Sequence, residues 1–273
     1  MKYADLHLHT VFSDGTSSPE ELIEDAKKEG VCCISIVDHD TVLGIEPALG
    51  YARQNGVEVL PGIELTTEYD SQEIHILGYL IDYTDQSLRK KLEVLKQNRI
   101  ERVYKITEKL KSIGLTLEPE KVLAMACLGT VGRMHIARTM VNDGLVGSTA
   151  EAFKRFIGDK RPAYVCGFRF TPAEAIGLIR KVGGLAVLAH PYSVKDEFTT
   201  RLIELGLDGL EVYYPEYNHV TTSYYLNIAH KNNLLITGGS DYHGTAKPEV
   251  KIGSAKVPYI FVENLKQAKE KKR

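Results

Sequence analysis

The stretch that opens with Ser18-Pro19-Glu20-Glu21, runs through Lys28 and ends in Cys32-Cys33-Ile34-Ser35-Ile36-Val37-Asp38-His39 decides the fold. Serine ahead of proline and two glutamates is a helix start, with Ser18 as N-cap and Pro19 at the first helical position, where its missing N–H costs nothing. The apolar run that follows reads as a buried strand, and polar residues close it. The unit then repeats: Thr41 to Gln54 reads as a helix leading to the strand Val57 to Leu60, and Glu73 to Tyr79 reads as another strand. Beyond Ala163, helix Pro172 to Val182 leads into Leu185 to His190, Thr199 to Leu205 into Gly209 to Tyr213, and Thr221 to Lys231 into Leu234 to Gly238. This is βαβ grammar, which predicts an α/β fold with a largely parallel sheet. About seven such strands, with no GxGxxG after any of them, favour a closed or nearly closed barrel over a dinucleotide-binding fold.

The character changes between residues 83 and 163. Ser87 to Ser112 reads as one long helix with Leu92, Leu95, Val103, Ile106 and Leu110 on its inner face, and Pro119 opens a further helical stretch. Val131 to Asn142 and Thr149 to Ile157 continue the pattern, with Gly144 and Gly158 as stops. A small helical insertion domain is therefore expected at 83–163, inside a discontinuous barrel domain made of 1–82 and 164–273.

The bulk numbers set limits. A chain of 273 residues with 43% hydrophobic and 26% charged residues can bury a proper core. A net charge of -2 argues against broad electrostatic capture of nucleic acid, and so against stable duplex binding, while leaving a small phosphorylated substrate open. No apolar run approaches the ~20 residues that span a bilayer. With no basic-then-apolar leader, a cytoplasmic protein is expected. Cys32, Cys33, Cys127 and Cys166 show no CxxC spacing, and the adjacent pair is expected to pack as small hydrophobes.

Chemistry collects at the strand ends. In Asp5-Leu6-His7-Leu8-His9-Thr10 the histidines are two apart, so on a strand both imidazoles face one side and can reach one ion. Ser13-Asp14-Gly15 follows closely. His39 follows the strand ending at Val37, Glu64 follows Val57 to Leu60, His190 ends its own strand, and Asp241-Tyr242-His243 follows Leu234 to Gly238. His75 lies between Ile74 and Ile76 and points opposite to both. The C-terminal strand ends of a barrel converge on one face, which brings such residues within ligand distance. A lone histidine after a strand is more often a surface or hydrogen-bonded core residue, but so many at equivalent places argue for a metal site. Nitrogen and carboxylate ligands without thiolates suit Mn, Fe or Zn, and phosphate ester hydrolysis is a natural use for ions held close together. Glu64, deep in the barrel, is the carboxylate best placed to bridge two of them. His219 and His230 lack this context and read as solvent-facing or helix-end residues.

In the insertion, Gly129-Thr130-Val131-Gly132-Arg133-Met134-His135 places glycines ahead of an arginine at a helix start, a pattern suited to an anion. Arg133 is read as a phosphate ligand, with a structural salt bridge as the competing reading. His135 stays open, since residues two apart on a helix diverge unless the first sits at the helix start. The clusters Lys154-Arg155 and Lys160-Arg161 read as a solvated face, and Tyr213-Tyr214, Tyr217 and Tyr224-Tyr225 as either packing or a base-stacking platform.

Taken together, Asp5-Leu6-His7-Leu8-His9-Thr10, Ser13-Asp14-Gly15, Val37-Asp38-His39-Asp40, Pro61-Gly62-Ile63-Glu64, His75-Ile76-Leu77-Gly78-Tyr79, Ala189-His190-Pro191 and Gly239-Ser240-Asp241-Tyr242-His243-Gly244 resemble the PHP (polymerase and histidinol phosphatase) superfamily, in its stand-alone phosphoesterase branch. The resemblance implies a distorted (β/α)7 barrel with three divalent ions, Mn, Fe or Zn. One would be held by His7, His9, Glu64 and Asp241, a second by Glu64, His75 and His190, and a third by Asp14, His39 and His243. Asp14, Glu64, His190 and Asp241 would be the catalytic residues, serving attack by a metal-bound hydroxide. The pattern Gly132-Arg133-x-His135-x-Ala137-Arg138 looks like that of enzymes removing the 3′-phosphate from nucleoside 3′,5′-bisphosphates, some of which also trim short 5′-phosphorylated RNA; Arg133 and His135 would grip the phosphate. A 5′-3′ exonuclease on short 5′-phosphorylated oligonucleotides, a histidinol-phosphate or other small-metabolite phosphatase, and a non-enzymatic metal-stabilised module are the alternatives.

Overall fold

Among the described residues, eight strands, β1 (Tyr3–Leu8), β2 (Val31–Ile36), β3 (Glu58–Tyr69), β4 (Gln72–Tyr79), β5 (Leu185–Leu188), β6 (Gly209–Tyr213), β7 (Leu235–Gly238) and β8 (Val257–Pro258), form one sheet in the order β7-β6-β5-β4-β3-β2-β1-β8. The structure is a computed structural model describing residues 2–70, 72–126, 128–166 and 170–272. Leu8 bridges Tyr242 in parallel, and the His9 amide donates to the Tyr242 carbonyl at 3.0 Å, so the segment after β7 meets β1 and the sheet curls into a nearly closed barrel. Gly239 permits that closure, because a Cβ there would lie 2.3 Å from the Cβ of His7.

The sheet is less parallel than the sequence predicts. β4 runs antiparallel to both β3 and β5, and the short β8 is antiparallel to β1. β3 ends at Tyr69 and β4 begins at Gln72, and a link that short cannot carry the crossover that parallel pairing needs.

Helices cover the barrel. α1 (Pro19–Lys28) starts with the expected Ser18 cap, completed by the Glu21 side chain, and buries Leu22, Ile23 and Ala26. Each large apolar side chain buried in this way contributes roughly 1.5–3 kcal/mol. α2 (Ile45–Asn55) starts later than expected, because the preceding residues are held by the site: the Asp40 amide donates to the Glu64 carbonyl at 2.9 Å. α3 (Gln86–Ser112) serves two cores. Its Leu88, Leu92 and Leu95 pack with the barrel, whereas Val103, Ile106 and Leu110 pack with a second cluster drawn from residues 103–165. That second cluster is built with α4 (Pro119–Met125), α5 (Arg133–Asn142) and α6 (Thr149–Ala152), which runs on as a π-helical turn over Phe153–Ile157.

The remaining helices are α7 (Pro172–Lys181), α8 (Asp196–Glu204), α9 (His219–Lys231) and α10 (Ile260–Lys271). His219, read as a solvent-facing or helix-end residue, opens α9 behind the Asn218 cap; like His230 it is exposed. Cys33 is buried, Cys32 is half-buried and Cys166 is exposed, while Cys127 lies outside the described residues. No helix among the described residues is long and apolar enough to cross a membrane.

Candidate metal centre

The barrel brings His7, His9, Asp14, His39, Glu64, His75, His190, Asp241 and His243 to one end. His7 lies in β1 and His9 just beyond it, both fully buried. Glu64 corrects the sequence reading, since it stands in the middle of β3 rather than after a strand. Pro61-Gly62 reads as a strand stop. Instead the chain continues through it, because Gly62 lets Ser35 approach closely and β4 pairs from Gly62 onward.

Glu64 is the hub. Its Oε2 lies 3.1 Å from Nε2 of both His7 and His9 and 3.4 Å from Nδ1 of His39. Its Oε1 lies 2.8 Å from Nδ1 of His75 and 3.3 Å from Nε2 of His190. Asp241 Oδ1 is 3.2 Å from His9 Nε2 and 3.4 Å from His7 Nε2, and Asp14 Oδ1 is 3.2 Å from His243 Nε2.

Several observations fit this set to metal ions. The Nε2 atoms of His7 and His9 face each other at 3.1 Å, close to the ~3.3 Å expected of two nitrogens bound at ~2.0–2.1 Å to one tetrahedral ion. Four imidazoles have one nitrogen engaged away from the cluster and the other aimed into it. His7 Nδ1 is anchored by Glu211 at 2.9 Å, His75 Nε2 by Glu73 at 2.9 Å, His243 Nδ1 by the Asp241 carbonyl at 2.8 Å and His190 Nδ1 by the Ser193 hydroxyl at 3.2 Å. Outer partners of this kind fix the tautomer that a metal needs. Buried His9 Nδ1, Asp14 Oδ1, His39 Nδ1 and His75 Nδ1 make no well-aligned hydrogen bond even where a cluster atom lies close, as Glu64 Oε1 does to His75 Nδ1, which is the arrangement expected of atoms aimed at a shared ion. Three sets converge closely enough to hold a cation: His9, Asp14, His39 and His243; His7, His9 and Asp241; and His39, Glu64 and His75.

The electrostatics say the same. Burial opposes a charge on His7, but Glu211, Glu64 and Asp241 hold its pKa well above the ordinary imidazole range. Against the same burial, Asp241 and Glu64 raise His9 to about 9, and Glu64 and Glu73 raise His75 to about 10. Burial would raise the carboxylates too, yet neighbouring imidazoles hold Glu64 and Asp14, and Lys247 with imidazoles holds Asp241, well below the carboxylate range. The cluster thus demands cations, and protons and metal ions compete for it.

Three of the eight described non-glycine residues with positive φ lie at this end of the barrel. His190, Asp241 and Asp40 have positive φ of 28°, 54° and 51°. Such conformations in non-glycine residues persist where the surroundings enforce them, as functional sites do.

Sequence reasoning missed the layer behind the ligands. Glu211, buried within β6, also accepts from the His190 amide at 2.8 Å and so positions two of the cluster's histidines at once. Glu73 joins His75 to Arg102 at 2.9 Å and to Arg133 at 3.0 Å. Asp38 accepts from the Thr10 amide and the Thr10 and Ser13 hydroxyls, fixing the loop that carries Asp14. Lys247 Nζ lies 2.6 Å from Asp241 Oδ2, and the Tyr214 hydroxyl donates to the same oxygen at 2.9 Å. The available signal was a lone acid inside an apolar strand, as in Gly209-Leu210-Glu211-Val212.

Above the cluster lies a cavity of about 680 Å³, which Arg133 lines from the insertion side. Arg133 is the first residue of α5, and its Nη1 pairs with Asp159 at 2.7 Å while its Nη2 pairs with Glu73. His135 diverges from it. It is buried, and its Nδ1 accepts from the Gly132 amide at 3.0 Å, capping the helix, with burial lowering its pKa to about 4. The insertion touches the barrel beside the ligands: the Thr130 hydroxyl donates to the His39 carbonyl at 2.6 Å, and Gly129 packs where a Cβ would strike the Phe12 carbonyl. Neither the Lys154-Arg155 nor the Lys160-Arg161 pair lines the cavity.

A barrel with a buried cluster of imidazoles and carboxylates beneath an open cavity defines a metal-dependent phosphoesterase, and comparison with known proteins agrees. Residues 5–157 match the PHP domain model, and the chain belongs to the PHP family. It is 35% identical over 217 residues to a 5′-3′ exoribonuclease of Haemophilus influenzae, covering 77% of this chain and 79% of that one. It is 28% identical over 250 residues to a 3′,5′-nucleoside bisphosphate phosphatase of Chromobacterium violaceum, covering 89% and 88%. A solved structure from Bifidobacterium adolescentis, assigned as a metal-dependent phosphoesterase, superposes with a TM-score of 0.88 at 31% identity over 97% of this chain and 95% of that one.

Proposed function

We propose that this enzyme removes the 3′-phosphate from nucleoside 3′,5′-bisphosphates. Three divalent ions, Mn, Fe or Zn, would be held by His7, His9, Glu64 and Asp241, by Glu64, His75 and His190, and by Asp14, His39 and His243. Such ions, when bound, polarise phosphoryl oxygens and make water nucleophilic at neutral pH. The observation that carries the reading is the pairing, across one cavity of about 680 Å³, of the nine-residue cluster with Arg133. That volume suits a single small ligand.

Asp14, Glu64, His190 and Asp241 form the floor on which the scissile phosphate lies, and the strained backbone at His190 and Asp241 presents two of them. Arg133 receives the second phosphate. Its guanidinium already pairs with Glu73 and with the partly exposed Asp159, so a phosphate takes the place of Asp159 at Nη1 while Glu73 keeps the arginine aimed. The bisphosphate phosphatase of Chromobacterium violaceum supports this substrate. The Haemophilus influenzae relative supports a second reading, stepwise 5′-3′ removal of nucleotides from short 5′-phosphorylated oligonucleotides. The position of Lys154 to Arg161 off the cavity wall favours the first, because those charges offer no continuation of the site along a strand.

The manganese-loaded protein, given adenosine 3′,5′-bisphosphate and a 5′-phosphorylated trinucleotide in separate reactions, should turn over the bisphosphate with the higher kcat/KM. Charge-assisted contacts are worth roughly 1.5–3 kcal/mol, so Arg133→Ala should raise KM for the bisphosphate about 10-fold or more. It should change KM for adenosine 3′-monophosphate little. Unchanged KM and kcat in this variant would remove Arg133 from the site, and preference for the trinucleotide would establish the second reading.

A further inference from the structure

The lining that the segments after β5 and β6 give the cavity is rich in tyrosine, and the proposed reaction gives it no task. From the ligand His190 a line of rings leads outward: His190 to Tyr214 at 6.1 Å between centroids, Tyr214 to Tyr217 at 5.2 Å, and Tyr217 to Tyr192 at 6.2 Å. Tyr225 backs Tyr217 at 5.5 Å, so the line is braced from behind. The Tyr214 hydroxyl is taken by Asp241, and the Tyr217 oxygen accepts from the Tyr192 amide at 3.2 Å. What these two residues offer the cavity is ring surface.

We infer that Tyr192, Tyr214 and Tyr217 form the seat of the substrate's nucleobase, with Tyr192 the ring on which the base stacks; the inference deepens the nucleotide reading above and rests on it. Tyr192 stands two residues after a ligand, in the turn Pro191–Ser193, lines the cavity, and leaves 74% of its surface in water. A tyrosine presents a large apolar face with few rotamers to freeze, which makes it an efficient partner for a flat ligand. The lining supplied by α3 and α5 carries Arg99, Arg102 and Arg133. A nucleotide has the same asymmetry, an anionic end and a flat π-face. With the scissile phosphate on the metal floor and the second phosphate toward Arg133, the base falls on the tyrosine side. Stacking uses a face that every base has, so the seat tolerates different bases.

The test compares adenosine 3′,5′-bisphosphate with its abasic counterpart, 1-deoxyribose 3,5-bisphosphate, in the manganese-loaded wild type, Tyr192→Ala and Tyr192→Phe. Binding of adenosine 5′-monophosphate is measured alongside by calorimetry, independently of turnover. Base stacking predicts about 10-fold or greater preference for the adenosine compound in kcat/KM, lost in Tyr192→Ala and kept in Tyr192→Phe, with a parallel loss of monophosphate affinity. Tyr192 is exposed, so the alanine variant should fold; Tyr217→Ala serves as a second probe of the same wall. Equal handling of the abasic compound by the wild type, or monophosphate affinity unmoved in both alanine variants, overturns the inference. Monophosphate binding that depends on Tyr192, with no hydrolysis of the bisphosphate, keeps the base seat and overturns the proposed reaction instead.

Discussion

The two sides of the cavity are built on different terms. On the barrel side, the candidate ligands leave strand ends and strand interiors with buried neighbours, and several are held by a further side chain, as Glu211 holds His7 and Glu73 holds His75. On the insertion side, Arg133 stands at a helix start over a separate helical core, and one of its two acidic partners, Asp159, is partly exposed and replaceable. A rigid floor with an exchangeable wall is what an enzyme needs when the chemistry is constant and the substrate must enter and leave. The long helix α3 joins the two, since its first half packs in the barrel core and its second half in the insertion core.

Perturbing the floor should therefore cost far more than perturbing the wall. The largest effect is expected from Glu64→Gln, which leaves five imidazoles without their shared carboxylate. Phosphate release should fall about 10³-fold or more and bound metal should drop together with it, as measured by elemental analysis of the purified variant; chelation of the wild type should match the loss and re-metallation should reverse it. Retention of both metal and rate in the variant would place the hub elsewhere.

Next comes an effect of pH on the insertion. His135 is held near 4 by burial against an ordinary value of 6.5, so the folded chain binds that proton more weakly than the unfolded chain. Its contribution is complete above pH 6.5 and is lost as the pH falls through about 4. Denaturant titrations at pH 7 and pH 4 should show the wild type losing up to about 3 kcal/mol more than His135→Gln, and parallel losses would contradict the buried neutral imidazole.

Glu211→Gln tests the layer behind the ligands. Metal affinity should weaken about 10- to 100-fold with the fold intact, and unchanged affinity would make Glu211 merely structural. The smallest effect is expected at the wall. Because partly exposed ion pairs are worth about 0–1 kcal/mol, Asp159→Asn should lower KM for a bisphosphate by at most about 5-fold and leave kcat alone. A rise in KM would show that Asp159 aims Arg133 rather than competing for it.

Much of the floor was legible in the sequence because barrel geometry turns a local pattern, a polar residue after an apolar run, into a shared location. His9, His39, His190, Asp241 and His243 follow that rule, and His7, inside β1, was legible from its i, i+2 spacing to His9. Glu64 and His75 sit inside strands, and the hairpin that joins theirs was read as part of a parallel series because Pro61-Gly62 looks like a stop. Glu211 gave no sequence signal tying it to His7, 204 positions away, since the contact exists only once the barrel has closed. The glycine-rich approach singled out Arg133, which lines the cavity, but its pairing with Glu73 joins a helix to a barrel strand and is a tertiary fact. His135, left open in the sequence, turns inward, where its Nδ1 accepts from the Gly132 amide at the first turn of α5.

The most direct test of the whole account is release of inorganic phosphate from adenosine 3′,5′-bisphosphate by the purified protein, before and after loading with manganese. The account predicts one phosphate released per molecule of adenosine 5′-monophosphate formed, dependent on the metal. A folded, manganese-loaded protein that leaves the bisphosphate intact would contradict it.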